Sequence, residues 1–410
     1  MRGPTASHER IGLLDAIRGV ALVGILLANL MSFFGVDMLD GAQRAALPQP
    51  ELGARVLFTI DWLVEGKFYS IFSMLLGIGF ALQAARASRR GEGWAFAGFF
   101  RRRMAVLVAI GAMHMFLIWS GDILMLYGVL GLLLPSLARL ESGTRNTLAA
   151  CLFAVPLLTH AAIVASDGAW DPRPPFAEAG AALRARTGVD DRPALDLFAR
   201  GSTSEYFAWN TANGITRPGT YLQSGRPAKV LALFLLGIWI GEYVLPRLGL
   251  LRRRLWQVAI AGAGIGLPAS FVYASIKAAT RSTFLLSDEG LLQTAAYTLG
   301  TTPLALAYMA TATLAWSHPA PRRLLAWFVP LGRMALTVYL SQSVIALLLF
   351  SSHGLGWSGR VSIAWLPVAA AAILAVQRRG CRAWLARHDQ GPVEWLWRRA
   401  TYRAQTHAPV

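Results

Sequence analysis

A handful of ionisable side chains sit inside stretches made almost entirely of Leu, Ala, Val, Ile and Phe, and any chemistry of this chain starts with them. A charge at membrane depth costs roughly 2.5 to 3.5 kcal/mol on insertion scales, which makes each one a functional candidate. Residues 111–128, GAMHMFLIWSGDILMLYG, hold His114 and Asp122 on either side of a short polar turn. An imidazole titrates near working pH, and a carboxylate beside it orients the ring or stabilises its cationic form. His114 is therefore the candidate catalytic base and Asp122 its partner. Each has a structural reading too: Asp122, after Ser120 and Gly121, suits a helix cap, and His114 suits an interhelical hydrogen bond.

Three further groups are candidates for binding a substrate. In LLDAIRGVALVGILLAN, Asp15, Arg18 and Asn29 fall within about 60° of one helix face. Asp15 and Arg18 can pair, which neutralises both for insertion, and the stripe faces the interior of a bundle. Asp61 and Glu65, four apart, share a face while Lys67 points elsewhere; DWLVEGKFYSIFS is dense in charge and rings, as a cavity mouth or a solvated rim would be. In PLGRMALTVYLSQS, Arg333, Thr337 and Ser341 share one helix face and Gln342 lies nearly opposite Arg333. Arg333 offers fork geometry to a phosphate or snorkels to lipid headgroups.

Positioning these groups takes an all-α, polytopic membrane helix bundle. Of 410 residues, 55% are hydrophobic and 15% charged, against roughly 25% charged in soluble domains, so a water-soluble globular protein is excluded. Mean hydropathy is +0.46. Ten stretches approach the roughly 20 apolar residues a crossing needs: 11–34, 57–85, 103–120, 122–140, 147–166, 229–246, 255–276, 290–316, 327–350 and 361–378. Connections on one side hold 23 cations, against five in the short connections on the other, which places both termini in the cytoplasm. The net charge of +17 thus belongs to cytoplasmic loops and not to a nucleic-acid groove. Asp15 and Arg18 interrupt the first stretch and no small-x-small cleavage site follows, so it is expected to stay in the mature protein.

The reading divides the chain into membrane halves at 1–166 and 229–380, an external connection at 167–228 and a cytoplasmic tail at 381–410. Within the connection, PALDLFARGSTSEYFAW has apolar residues at helical spacing, consistent with short amphipathic helices over the outer mouth or with a flexible loop. The tail segment HDQGPVEWLWRRATYR has the rings and guanidinium groups of an interfacial helix, with Pro392 in its first turn. Gly262, Gly264 and Gly266 read as close helix packing, Cys151 and Cys381 as free thiols, and the scattered histidines as no metal site.

The segments RIGLLDAIRGVALVGILLANL, KFYSIFSMLLGIGFAL, HMFLIWSGDIL, GRMALTVYLSQSV and GPVEWLWRRATY resemble, in order and spacing, the YeiB-like bacterial inner-membrane proteins catalogued as domain of unknown function 418. The resemblance spans nearly the whole chain, but 167–228 carries no recognisable motif. It implies a multi-pass inner-membrane protein and, more distantly, a grouping with the acyltransferase-3 superfamily. Those enzymes share an opening similar to LDAIRG and use cytosolic acyl-CoA to modify an acceptor across or within the membrane. Many of them have a histidine toward the end of the first span, where this chain has Asn29, so the base has to be sought elsewhere and His114 is the substitute on offer.

Two functional readings follow. In the first, an acyltransferase, Arg18 and Arg333 hold acyl-CoA, which is a donor substrate and not a bound cofactor. His114, oriented by Asp122, deprotonates a hydroxyl or amine of an envelope glycan, lipid or small molecule, and Lys67 or Asn29 stabilises the oxyanion. Asp15, Asp61, Glu65 and Gln342 complete the substrate-binding set. In the second reading, the same charges line the path of a proton-coupled transporter or lipid-handling protein, although no inverted repeat is evident. The partners expected are the lipid bilayer, acyl-CoA and an envelope acceptor, with no nucleic acid.

Overall fold

Mostly apolar sequence, carrying Asp15, Arg18 and Asn29 on one face, makes the first helix, α1 (Gly12–Phe33), in a computed structural model that describes residues 12–403. Arg2 and Arg10, part of the N-terminal charge count, and tail residues 404–410 lie outside the described residues. An Asp40 capping box starts the short α2 (Gly41–Ala45), and Pro50 occupies the first turn of α3 (Pro50–Leu63). Then come α4 (Lys67–Arg89), α5 (Gly93–Leu117), α6 (Leu124–Gly131), α7 (Leu134–Leu137) and α8 (Ser142–Ala165). The connection forms α9 (Pro174–Thr187), α10 (Ala194–Arg200) and α11 (Thr203–Gln223). The second half holds α12 (Arg226–Trp239), α13 (Arg252–Thr280), α14 (Asp288–Trp316), α15 (Pro319–Ala326), α16 (Val329–Arg333), α17 (Ala335–Phe350), α18 (Leu366–Leu385) and α19 (Pro392–Arg403). No β-strand occurs among the described residues, so the fold is an all-α bundle.

Among the described residues, five stretches are long and apolar enough to cross a membrane: Gly12–Phe33, Pro50–Arg89, Ser142–Ala165, Arg226–Leu250 and Arg252–Thr280. Leu124–Leu137 and Ala335–Phe350 are shorter apolar helices. The chain is a membrane protein with a lipid bilayer as its surroundings. Three stretches that read as continuous spans are interrupted. The first breaks at residues 64–66, where Gly66 takes the left-handed region (φ +81°), so Asp61 and Glu65 do not share one helix. The second begins as a turn and divides between α6 and α7. The third breaks at Met334, so Arg333 ends α16 while Thr337 and Ser341 belong to α17, and the continuous polar face expected there does not form.

In lipid, helices associate through close approach more than through hydrophobic exclusion. Gly77 of α4 and Gly237 of α12 provide such an approach: a Cβ on either would strike the partner's backbone, at the Phe234 and Met74 carbonyls. Gly262 and Gly266 do the same between α13 and α14, while Gly264 faces open space. Cys151 and Cys381 are both free thiols.

The connection is helical. A capping box pairs Ser202 with Glu205 at the start of α11. The Ser202 backbone amide, reinforced by the Arg192 guanidinium, holds the Glu205 carboxyl down at about 2. The tail helix α19 is exposed on one face and packed on the other. Trp395 is exposed under Arg399, but Trp397 turns inward and donates to the Arg103 carbonyl at 2.8 Å. Glu394 accepts from the Leu336 and Thr337 amides at 2.7 and 3.1 Å and from the Thr337 hydroxyl, capping the broken end of α17.

Candidate functional site

Gly111 on α5 lets the α6 backbone approach at Leu124 and Met125, and this tight hairpin brings His114 and Asp122 together. His114 Nδ1 lies 2.8 Å from Asp122 Oδ1, with His114 1% and Asp122 0% exposed. The second carboxylate oxygen accepts from the Met125 amide at 2.8 Å, so Asp122 is both helix cap and histidine partner, one oxygen for each. An acceptor-only carboxylate at Nδ1 keeps the proton there and leaves Nε2 as the basic nitrogen. Nε2 is buried and has no hydrogen-bond partner among the described residues.

The connection sets this geometry. On α11, Asn210 Oδ1 accepts from the Ser120 amide at 2.8 Å, and its Nδ2 donates to the Met115 and Phe116 carbonyls at 3.0 and 3.1 Å. Tyr206 donates to the Ile118 carbonyl and Tyr221 to the Asp122 carbonyl. The end of α5 and the turn to α6 are thus clamped at several carbonyls and an amide by one helix of the connection, α11, helped by Tyr221 near its end.

Beside the pair lies a cavity of about 350 Å³. Arg18, Arg86, Arg90, Arg103, Arg333 and Arg398 line it near one end of α4, and Phe72, Leu75, Leu107, Ile123 and Leu336 give it apolar walls. Six guanidinium groups against three carboxylates in the same wall, Asp15, Glu92 and Glu394, leave a positive excess over an apolar chamber, which suits an anionic group joined to an apolar chain. Tyr127 and Tyr339 also line the cavity. His114 does not; the Tyr339 ring, 5.3 Å from the imidazole between centroids, lies against it. Tyr127 is held by the Tyr69 carbonyl at 2.9 Å and by Ser73 at 2.7 Å.

The other candidates divide between this cavity and the rest of the bundle. Asp15 and Arg18, paired at 2.8 Å, and Arg333 are in the cavity wall. Asn29 is half-buried on α1 and lines no part of it. Gln342 joins a network among α1, α17 and α18, reaching the Leu22 carbonyl at 3.5 Å and Gln377 at 3.4 Å. Asp61 and Glu65 both hold Lys277, at 2.7 and 2.6 Å, tying the break between α3 and α4 to α13. Lys67 is fully buried and donates to the Asp61 carbonyl at 3.1 Å. Of the residues lining the cavity, Tyr339 is the one whose ring lies against His114.

Sequence reasoning passed over Tyr339, Tyr127 and four of the cavity's arginines. In the sequence Arg86, Arg90, Arg103 and Arg398 read as loop charges that set topology, although Arg103 borders an apolar run; in the structure its guanidinium stacks 4.1 Å over Trp397. A tyrosine inside an apolar helix needs a partner for its hydroxyl, and that was the available signal for Tyr127 and Tyr339.

Residues 242–404 match the family model described as "Protein of unknown function (DUF418)". Over 422 residues, covering 97% of this chain and 96% of the relative, the sequence is 29% identical to "Uncharacterized protein YxaH" of Bacillus subtilis (strain 168). It is 28% identical over 426 residues to "Uncharacterized protein YeiB" of Escherichia coli (strain K12), covering 97% of each. A third relative, "Uncharacterized 39.9 kDa protein in amylase 3'region" of Bacillus acidopullulyticus, is 28% identical over 412 residues, 97% of this chain and 96% of that one. No solved structure shows significant similarity. The matched C-terminal part contains Arg333 and the Glu394 cap, and the longer similarities run through the His114 hairpin as well. Together, the DUF418 match over residues 242–404 and the near full-length similarity to YeiB support grouping this chain with the YeiB-like DUF418 proteins.

Proposed function

We propose that the protein is an acyltransferase of the bacterial inner membrane that moves an acyl group from cytosolic acyl-CoA to a hydroxyl or amine of an envelope acceptor. In this reading the chain crosses the membrane ten times with both ends in the cytoplasm, and the arginine cavity opens to the cytosol. The observation that carries it is the arginine-rimmed, apolar cavity whose wall residue Tyr339 packs on a buried histidine with an unpartnered Nε2. The guanidinium groups bind CoA phosphates, and the apolar walls take the pantetheine and acyl chain. With Tyr339 rotated aside, His114 Nε2 takes the acceptor's proton as its oxygen or nitrogen attacks the thioester carbonyl. Asp122 stabilises the imidazolium, and the Tyr339 hydroxyl donates to the oxyanion. Collapse breaks the C–S bond, and the proton on His114 passes to the departing CoA thiolate.

The test is calorimetric binding of acetyl-CoA and longer acyl-CoAs to detergent-purified protein, with free CoA as control, beside release of CoA thiol. Arg18→Ala should weaken binding about tenfold by removing one charge-assisted contact. His114→Gln should bind normally and release no thiol. Folded wild-type protein that binds no thioester would end this reading.

A second reading has its own support. Tyr127, hydrogen-bonded to the Tyr69 carbonyl, stands between the arginine cavity and a smaller one bordered by the Tyr69 ring. Two cavities divided by a plug also suit a transporter, and proton-gradient-dependent uptake without acyl-CoA would select it.

A further inference from the structure

At the opposite end of α4, about 30 Å from its arginine end at 1.5 Å per residue, lies a second group of cations that the acyl-CoA cavity does not use. Lys67 opens α4, and Arg226 and Lys229 lie in the first turn of α12. Lys67 and Lys229 are 0% and 2% exposed. None of the three is within ion-pair distance of a carboxylate among the described residues. The two nearby acids, Asp61 and Glu65, share Lys277 and leave one negative charge in excess toward Lys67, so the cations without a counter-charge are Arg226 and Lys229. Lys67 has the Asp61 carbonyl, and Lys229 has the Thr301 hydroxyl and the face of Tyr297, 4.2 Å away. Arg226 makes no hydrogen bond to a described residue; its guanidinium lies over the rings of Tyr221 and Tyr69 at 5.3 and 5.6 Å.

Buried cations without counter-charges are costly, and proteins retain them where a ligand supplies the charge. Two helix N-termini add to the positive field. Both α4 and α12 start on a left-handed glycine, Gly66 and Gly225, with no side-chain cap. Between them Tyr69, Ser224, Arg226, Lys229, Thr294 and Tyr297 border a cavity of about 10 Å³, the room of one water position. His160, bonded through Nδ1 to Thr294 at 3.1 Å, has its buried Nε2 unpartnered among the described residues.

We propose that Arg226 and Lys229, with Lys67 behind them, form a second anion site that takes a single phosphate or carboxylate group of a ligand whose remainder stays outside. The small volume excludes a chain and requires half-buried Arg226 to swing out as the anion enters. Tyr221 links this site to the first: its ring lies beneath Arg226 and its hydroxyl holds the Asp122 carbonyl. The site is therefore where the anionic acceptor of the acyl group docks. That last assignment rests on the acyl-transfer reading; anion binding itself does not.

The experiment titrates detergent-purified protein with inorganic phosphate and sn-glycerol 1-phosphate, and separately compares melting in nanodiscs of phosphatidylcholine with and without phosphatidylglycerol. Saturation by the soluble probes identifies a soluble source, and stabilisation only by phosphatidylglycerol identifies a lipid headgroup. Either response should weaken at least tenfold in Arg226→Gln and in Lys229→Met, and persist in Arg18→Ala. Should Lys229→Met fail to fold, Arg226→Gln decides. Acyl-CoA binding, measured on the same samples, should be unchanged in Arg226→Gln, so the two proposals fail separately. A folded wild type that responds to neither source overturns the anion site, as does a response lost in Arg18→Ala but kept in Arg226→Gln.

Discussion

Replacing Lys277 by methionine leaves Asp61 and Glu65 side by side without their cation. Breaking a buried pair by removing one partner costs about 3 to 5 kcal/mol, because the remaining charge is stranded. Here Lys277 and Glu65 retain 20% and 23% side-chain exposure and Asp61 only 8%, so water screens part of the repulsion and the lower end, about 3 kcal/mol, applies. The triple variant Asp61→Asn, Glu65→Gln, Lys277→Met removes the charges of the trio and should regain part of that loss, the remainder being the cost of leaving buried Lys67 without the two acids beside it. Reversible unfolding in mixed detergent micelles, followed by tryptophan fluorescence, gives both values, and a full cycle over the three residues isolates their coupling. A Lys277→Met loss below about 1 kcal/mol, or effects that add across the cycle, would show that the trio does not hold α13 to the break before α4.

Two further outcomes follow from the caps. Glu394→Ala strips three hydrogen bonds from the start of α17 and should cost about 1 to 2 kcal/mol, with faster amide exchange at Leu336 and Thr337 but not at the far end of that helix. Because the folded Glu205 carboxyl sits at about 2, below its ordinary value near 4.5, its contribution is complete above pH 4.5 and disappears as pH falls toward 2. Amide exchange at the first turn of α11 should therefore quicken through that window in wild type, and Glu205→Gln should show no such dependence.

What the residues revealed on their own followed the reach of local rules. His114 and Asp122 are eight apart across a turn, so helix geometry alone made them neighbours. Lys277 lies more than two hundred residues from the acids it neutralises, and no periodicity connects it to them. The break at Met334 depends on Glu394, 58 residues beyond Leu336, which captures the freed amides; read alone, GRMALTVYLSQS has the pattern of an uninterrupted helix. The arginines of the cavity were visible, but counting charges to orient the chain says where they lie along the membrane normal and nothing about what they surround. Residues 167–228 gave the weakest signal, yet they clamp the turn between His114 and Asp122, because α11 acts through backbone groups whose partners leave no mark in sequence.

The crossing of α4 and α12 at Gly77 and Gly237 has a mechanical meaning. Both helices begin beside the cluster of Lys67, Arg226 and Lys229, and they touch backbone to backbone about ten residues farther on. The contact continues past the end of α12, where Gly241 is set against Ile78 and Ala81. A backbone seam about two turns long resists any change of crossing angle, so it fixes where α4 holds its two groups of cations, Lys67 at one end and Arg86 and Arg90 at the other.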